Sequence, residues 1–218
     1  MVAILVVVTI LLVIGIEFFR KRTNRKSAVA VASDQFKIPK GYFVSNAHTW
    51  VEILFSGEAR VGIDDFVQKI FGAVENIDAV QAGTQVKRGE TIITLHRGRK
   101  TFSMPAPISG KVIRVNEQAL ASPHLVNSDP YLGGWVTLIA PTNISSEIKL
   151  LTIAEDAANW LKKEISRFRD FIKVQTQTGT LATAGITMLD GGVPLSGALE
   201  HCPDKTWQAF QQEFLSIK

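Results

Sequence analysis

Residues 91–115 decide the fold. They read Thr91-Ile92-Ile93-Thr94-Leu95, then His96-Arg97-Gly98-Arg99-Lys100, then Thr101 to Ala106, then Pro107-Ile108-Ser109-Gly110, then Lys111-Val112-Ile113-Arg114-Val115. Three extended runs rich in β-branched residues are separated by a glycine-bearing basic tip and a Pro/Gly turn. Runs of this length bounded by such turns predict β-strands, and the first two predict a hairpin.

The same texture continues outward. Tyr42-Phe43-Val44 is a short β-type run. Thr49 to Phe55 and Ala59 to Ile63 flank Ser56-Gly57-Glu58 and predict a second hairpin. Asp65 with Gln68 three residues on has the form of a capping box, so a short helix is predicted from there to Gly72. Ala82 to Glu90 is turn-like. Many short strands with glycine turns predict a small all-β sandwich or barrel.

The chain has 218 residues, 46% of them apolar, which is ample for one packed domain with attachments. Its net charge of +4 is unevenly placed. Arg20, Lys21, Arg22, Arg25 and Lys26 follow an apolar run directly, and without them the chain is close to neutral. That distribution points to a membrane surface, not to nucleic acid. Cys202 is the single cysteine, so no internal disulfide forms. His48, His96, His124 and His201 lack metal-ligand spacing, and no nucleophile pair or cofactor loop stands out. The expectation is a non-enzyme without a metal or a small-molecule substrate.

Residues 1–19 are predicted to be a transmembrane anchor. Val2 to Ile16 is apolar, and Phe18-Phe19 beside Glu17 suits the headgroup region. About 18 helical residues span roughly 27 Å, close to a ~30 Å hydrocarbon core. The basic cluster lies after this run, which orients the bulk of the chain to the cytoplasm of an inner (cytoplasmic) membrane. A cleaved signal peptide is the rival reading, since Ala28-Val29-Ala30 resembles a cleavage site. The charge is on the wrong side for it. Residues 20–40 then form a basic juxtamembrane segment and linker.

Downstream of the β-rich module, Thr152-Ile153-Ala154-Glu155 has capping-box form and predicts an amphipathic helix over 151–174. Ile153, Ala157, Trp160, Leu161, Phe168, Phe171 and Ile172 share one side of it. Residues 175–218 form a C-terminal extension. Asp190-Gly191-Gly192 reads as a tight turn. Trp207, Phe210, Phe214 and Leu215 predict a short amphipathic helix packed on the barrel or on a partner.

Several strings then converge. His48-Thr49-Trp50-Val51, Val61-Gly62-Ile63-Asp64-Asp65-Phe66, Pro107-Ile108-Ser109-Gly110 with Val115-Asn116, and Leu125 to Tyr131 with Gly134-Trp135 stand in order across residues 41–150. Together they resemble the H protein of the glycine cleavage system. The resemblance implies a mainly β, barrel-sandwich hybrid fold of the lipoyl-domain type, here with short helices, the N-terminal anchor and the helical extension. It also implies a lipoyl arm on one lysine at a hairpin tip.

At that tip this chain departs from the family pattern. Counting back eleven residues from Gly110 lands on Arg99, and His96 replaces a family glutamate. A guanidinium stays protonated and cannot form the lipoyl amide. Lys100 lies one position late and is the candidate acceptor for lipoate, the only cofactor implied. The basic tip of His96, Arg97, Arg99 and Lys100 is a candidate surface for a protein partner. The first expectation is a membrane-tethered, non-lipoylated binding or scaffolding module for a cytoplasmic or membrane protein. The alternative is a lipoyl carrier, modified at Lys100, that shuttles an aminomethyl group in glycine decarboxylation.

Overall fold

The structure is a computed structural model that describes residues 36–177, 188–189, 193–194, 196–200 and 202–217. The predicted anchor, most of the linker and the Asp190-Gly191-Gly192 turn lie outside the described residues. Among the described residues no helix is long and apolar enough to cross a membrane.

Besides a small pair in the extension, Met188–Leu189 with Val193–Pro194, the strands are β1 (Phe43–Val44), β2 (Thr49–Ile53), β3 (Ala59–Ile63), β4 (Asn76–Ala79), β5 (Gln85–Val86), β6 (Thr91–Arg97), β7 (Lys100–Pro105), β8 (Gly110–Val115), β9 (Thr137–Pro141) and β10 (Thr152–Ile153). Seven of them form one antiparallel sheet in the order β10-β1-β2-β3-β9-β8-β5. The other three form a second sheet, β4-β6-β7. The helices are α1 (Asp65–Phe71), α2 (Glu117–Ala121), α3 (Leu125–Ser128), α4 (Ile144–Glu147), α5 (Ala154–Gln177) and α6 (Asp204–Phe214). The mainly β architecture with short helices matches the expectation.

Alternation puts one face of each strand into a shared core. Val51, Val61 and Ile63 from the large sheet join Leu95, Phe102 and Met104 from the small one. Adjacent Ile92 and Ile93 are both buried, which strict alternation forbids. A register shift between Thr91 and Ile93 in the β6–β7 pair accommodates them. Gly110 shows why the Pro-Ile-Ser-Gly string ends in glycine: a Cβ there would stand 2.4 Å from the Ala140 carbonyl oxygen.

The Asn127–Tyr131 string fastens one end of the barrel. Asn127 Nδ2 donates to the carbonyls of Gln68 and Gly72 and to Gln68 Oε1, and its Oδ1 accepts from the Val74 amide. The Tyr131 hydroxyl donates to Lys37 O, and Tyr42 donates to Tyr131 O.

Four local expectations need correction. The cap of α1 is Asp64, whose carboxylate accepts from the Val67 amide. Asp65 instead accepts from Gln68 Nε2 and Lys69 Nζ. Strand β2 ends at Ile53, leaving Phe55 fully exposed in the turn. Thr152 does not cap α5, and Ile153 is not in its apolar stripe; they pair with Val44 and Phe43 as strand β10 and complete the large sheet. Helix α5 starts at Ala154 and runs past residue 174 to Gln177.

The apolar faces of α5 and α6 do pack on the barrel. Phe168, Phe210 and Phe214 are completely buried, and Trp207 stacks on Phe102 at 4.2 Å.

Candidate functional site

Strands β6 and β7 meet in a two-residue turn. Arg97 pairs with Lys100, leaving Gly98 and Arg99 as the central residues. Gly98 has φ 55°, a left-handed value that suits glycine at the first position of a tight hairpin turn. The tip is therefore a tight turn, not a loose one. Glu75 tethers it by accepting from the Gly98 amide at 2.7 Å.

Pleating sorts the four basic tip residues onto different surfaces. His96 is on the outer face of the small sheet, where its Nε2 lies 2.7 Å from Asp78 Oδ2. Arg97 and Lys100 stand opposite each other on the inner face, in line with Leu95 and Phe102. Arg99 occupies the turn itself and is exposed.

The inner face at this end is covered by the C-terminal extension. Arg97 forms an ion pair with Glu200 and donates to Phe71 O at 3.4 Å. Lys100 Nζ donates to Glu200 O at 3.1 Å and to Cys202 O. It also lies 5.1 Å from the Trp207 ring centroid, within cation–π range. Trp207 Nε1 donates to Thr101 O at 2.8 Å. The extension is also seated on α1: the Gly197 and Leu199 amides donate to the carbonyls of Lys69 and Ile70 in its last turn. Burial pushes the Cys202 thiol up to about 11, against a smaller downward pull from Lys100. That thiol is not a reactive nucleophile at neutral pH.

The structure thus brings Arg97 and Lys100 together, and separates His96 and Arg99 from them. A lipoyl group needs a primary amine. Among the four tip residues only Lys100 supplies one, and it is partly buried under the extension. The residue chemistry therefore fits the group at Lys100 and not at Arg99.

A second cluster is buried. His48 Nδ1 lies 2.7 Å from Asp64 Oδ2, and Nε2 lies 3.5 Å from Glu164 Oε2. The second contact is an ion pair without a well-formed hydrogen bond. Phe66 and Trp160 flank the ring, each 4.9 Å away between centroids. Burial lowers the imidazole's proton affinity, but the two carboxylates outweigh it and raise the pKa to about 9. This cluster ties α5 to the barrel, with the His48 ring fully buried. Sequence reasoning missed Glu164. The signal was a carboxylate at helical spacing from Leu161 and Phe168, inside an apolar stripe. Among the described residues no His, Cys, Asp and Glu group has a metal-binding arrangement.

Comparison with known proteins bears on this fold directly. Residues 42–164, more than half of the chain, match the family described as glycine cleavage H-protein. A probable glycine cleavage system H protein of Pyrococcus abyssi is 36% identical over 128 residues, covering 59% of this chain and 95% of the relative. The glycine cleavage system H protein of Coprothermobacter proteolyticus is 34% identical over 119 residues, 55% and 94% of the two chains. The crystal structure of a glycine cleavage system H protein from Mycobacterium marinum superposes with a TM-score of 0.50 at 26% identity. It covers 56% of this chain and 98% of that one.

Proposed function

This chain belongs to the glycine cleavage H-protein family, and we propose that it acts as a non-catalytic carrier of that kind, with Lys100 as the lipoyl acceptor. Family members carry lipoate on a lysine. The observation that carries the reading is the position of Lys100. It is the first residue of β7, directly after the two-residue turn, and the only primary amine among the four tip residues. When bound, the lipoyl group supplies a redox-active dithiol on a long arm. The protein's part is to hold that arm's root on a rigid hairpin. The Glu75 contact to Gly98 and the β4–β6–β7 pairing fix the root's position.

The test is lipoylation of the full chain by a lipoyl-protein ligase with lipoate and ATP, read by peptide mass. One lipoyl group on the peptide containing Lys100, lost in Lys100→Ala, supports the reading. An unmodified chain beside a modified control H protein sinks it.

A second reading, an unmodified docking module, draws on one specific observation. Arg99 holds the turn position, and the Lys100 ammonium is engaged by the extension. In that reading exposed Arg99 and the nearby groove along α6 meet an acidic protein partner. For both readings, the apolar residues 1–19 and the basic cluster after them support a tether to the inner membrane with the module on its cytoplasmic side. Extraction of membranes at alkaline pH tests it: an integral anchor stays with the lipid, a peripheral one is released.

A further inference from the structure

We propose that residues Gly197–Glu200 together with Cys202, clasped by Arg97 and backed by Trp207, are a built-in strap that sequesters the Lys100 amine and sets when it can be acylated. The proposal rests on Lys100 being the acceptor and adds a level of control to that site.

Three contacts converge on the Lys100 amine: the carbonyl of Glu200, the carbonyl of Cys202 and the face of Trp207. Two carbonyls and an aromatic face engage the donors of this amine and cover it. Acylation needs an activated acyl carbon to reach the nitrogen. The strap therefore has to lift off Lys100 before the amine can be acylated. The contacts come from residues about a hundred positions downstream and beyond the family match, which ends at residue 164. They belong to this chain's extension, not to the shared module.

The strap is anchored unequally. Helix α6 is fixed by Phe210 and Phe214, both completely buried against Phe168. The segment before it is held by two amide-to-carbonyl bonds onto α1, by buried Leu199 and by the Arg97–Glu200 pair. That short stretch can lift while α6 stays seated. Arg97, directly across the hairpin from Lys100, is the latch: it grips the side chain of the residue whose carbonyl grips the amine.

The experiment is a lysine-acylation time course on the full chain with an N-hydroxysuccinimide ester, read peptide by peptide, followed by the ligase assay. Exposed Lys111 on β8 is the internal reference. Charge-assisted hydrogen bonds of ordinary strength predict that Lys100 reacts roughly tenfold or more slowly than Lys111. Glu200→Ala opens the latch, and Trp207→Phe removes the indole while keeping an aromatic against Phe102. Both are expected to speed Lys100 toward the Lys111 rate and leave Lys111 unchanged. Circular dichroism of each variant confirms that the fold is retained. Lys100 reacting as fast as Lys111 in the unaltered chain overturns the strap. Lipoate taken up at equal rates by the unaltered chain and both variants also overturns it, and leaves the carrier reading standing. Faster acylation in the variants with no lipoate uptake by any of them keeps the strap and sinks the carrier reading.

Discussion

Trp207 is bonded to the hairpin that it covers: its indole Nε1 donates to the Thr101 carbonyl at 2.8 Å. The same ring stacks on Phe102 at 4.2 Å and packs on Phe71 at 5.4 Å. One side chain thus joins the extension to the strand that begins at Lys100. The conformation of the tip depends on residues outside the module shared with the family.

Trp207→Ala is therefore expected to destabilise the whole fold, not only the tail. The residue is 5% exposed, and large-to-small changes of buried aromatics cost about 3–5 kcal/mol. Urea unfolding followed by tryptophan fluorescence measures it. A loss below about 1 kcal/mol means that the extension is only loosely held.

The buried His48 cluster predicts a pH dependence of stability. Its folded pKa of about 9 lies above the ordinary 6.5, so the folded state binds the proton more tightly. The stabilisation is complete below about pH 6.5 and fades as pH rises through 9. It amounts to a few kcal/mol, on the order of 3. Asp64 and Glu164 face the ring, and Arg167 pairs with Glu164 at 3.0 Å. Denaturant midpoints between pH 6 and 9.5 are expected to fall for the unaltered chain and to flatten in His48→Gln. Equal slopes in both contradict the assignment.

Arg99→Lys places an amine at the exposed turn position, clear of the strap. The ligase is expected to modify residue 99 in this variant faster than it modifies Lys100 in the unaltered chain. Peptide mapping separates the two sites. No modification at position 99 shows that recognition fails for reasons beyond the missing amine, with the His96 substitution as the next one to reverse.

Asn127→Ala removes the side chain that serves the Gln68 and Gly72 carbonyls and the Val74 amide. Losing these hydrogen bonds from part-buried groups costs about 2–3 kcal/mol. Thermal unfolding checks this. The loss is expected with little change in the acylation rate of Lys100, because the hydrogen bonds of Asn127 run to Gln68, Gly72 and Val74 and not to the strap.

The sequence makes the strands legible through alternation and glycine turns, and it makes the lineage legible through strings in fixed order. It is less clear where neighbouring residues compete for one role. Asp64 and Asp65 both suit a helix cap, and only the extended backbone at Asp64 decides between them. Thr152 sits in a capping string, yet sheet pairing with Val44 takes it. The state of Lys100 is least legible. It depends on Glu200, Cys202 and Trp207, brought in by tertiary packing that no local pattern encodes. Glu164 is similar: it looks like a solvated helix carboxylate until His48 is placed beside it.

The most direct test of the central claim is the mass of the protein isolated from its own cells, with mapping of the peptides that span residues 96–104. The account predicts one lipoyl group, on Lys100. An unmodified Lys100 in cells whose other lipoyl proteins are fully modified contradicts it, and leaves an H-protein fold used for docking alone.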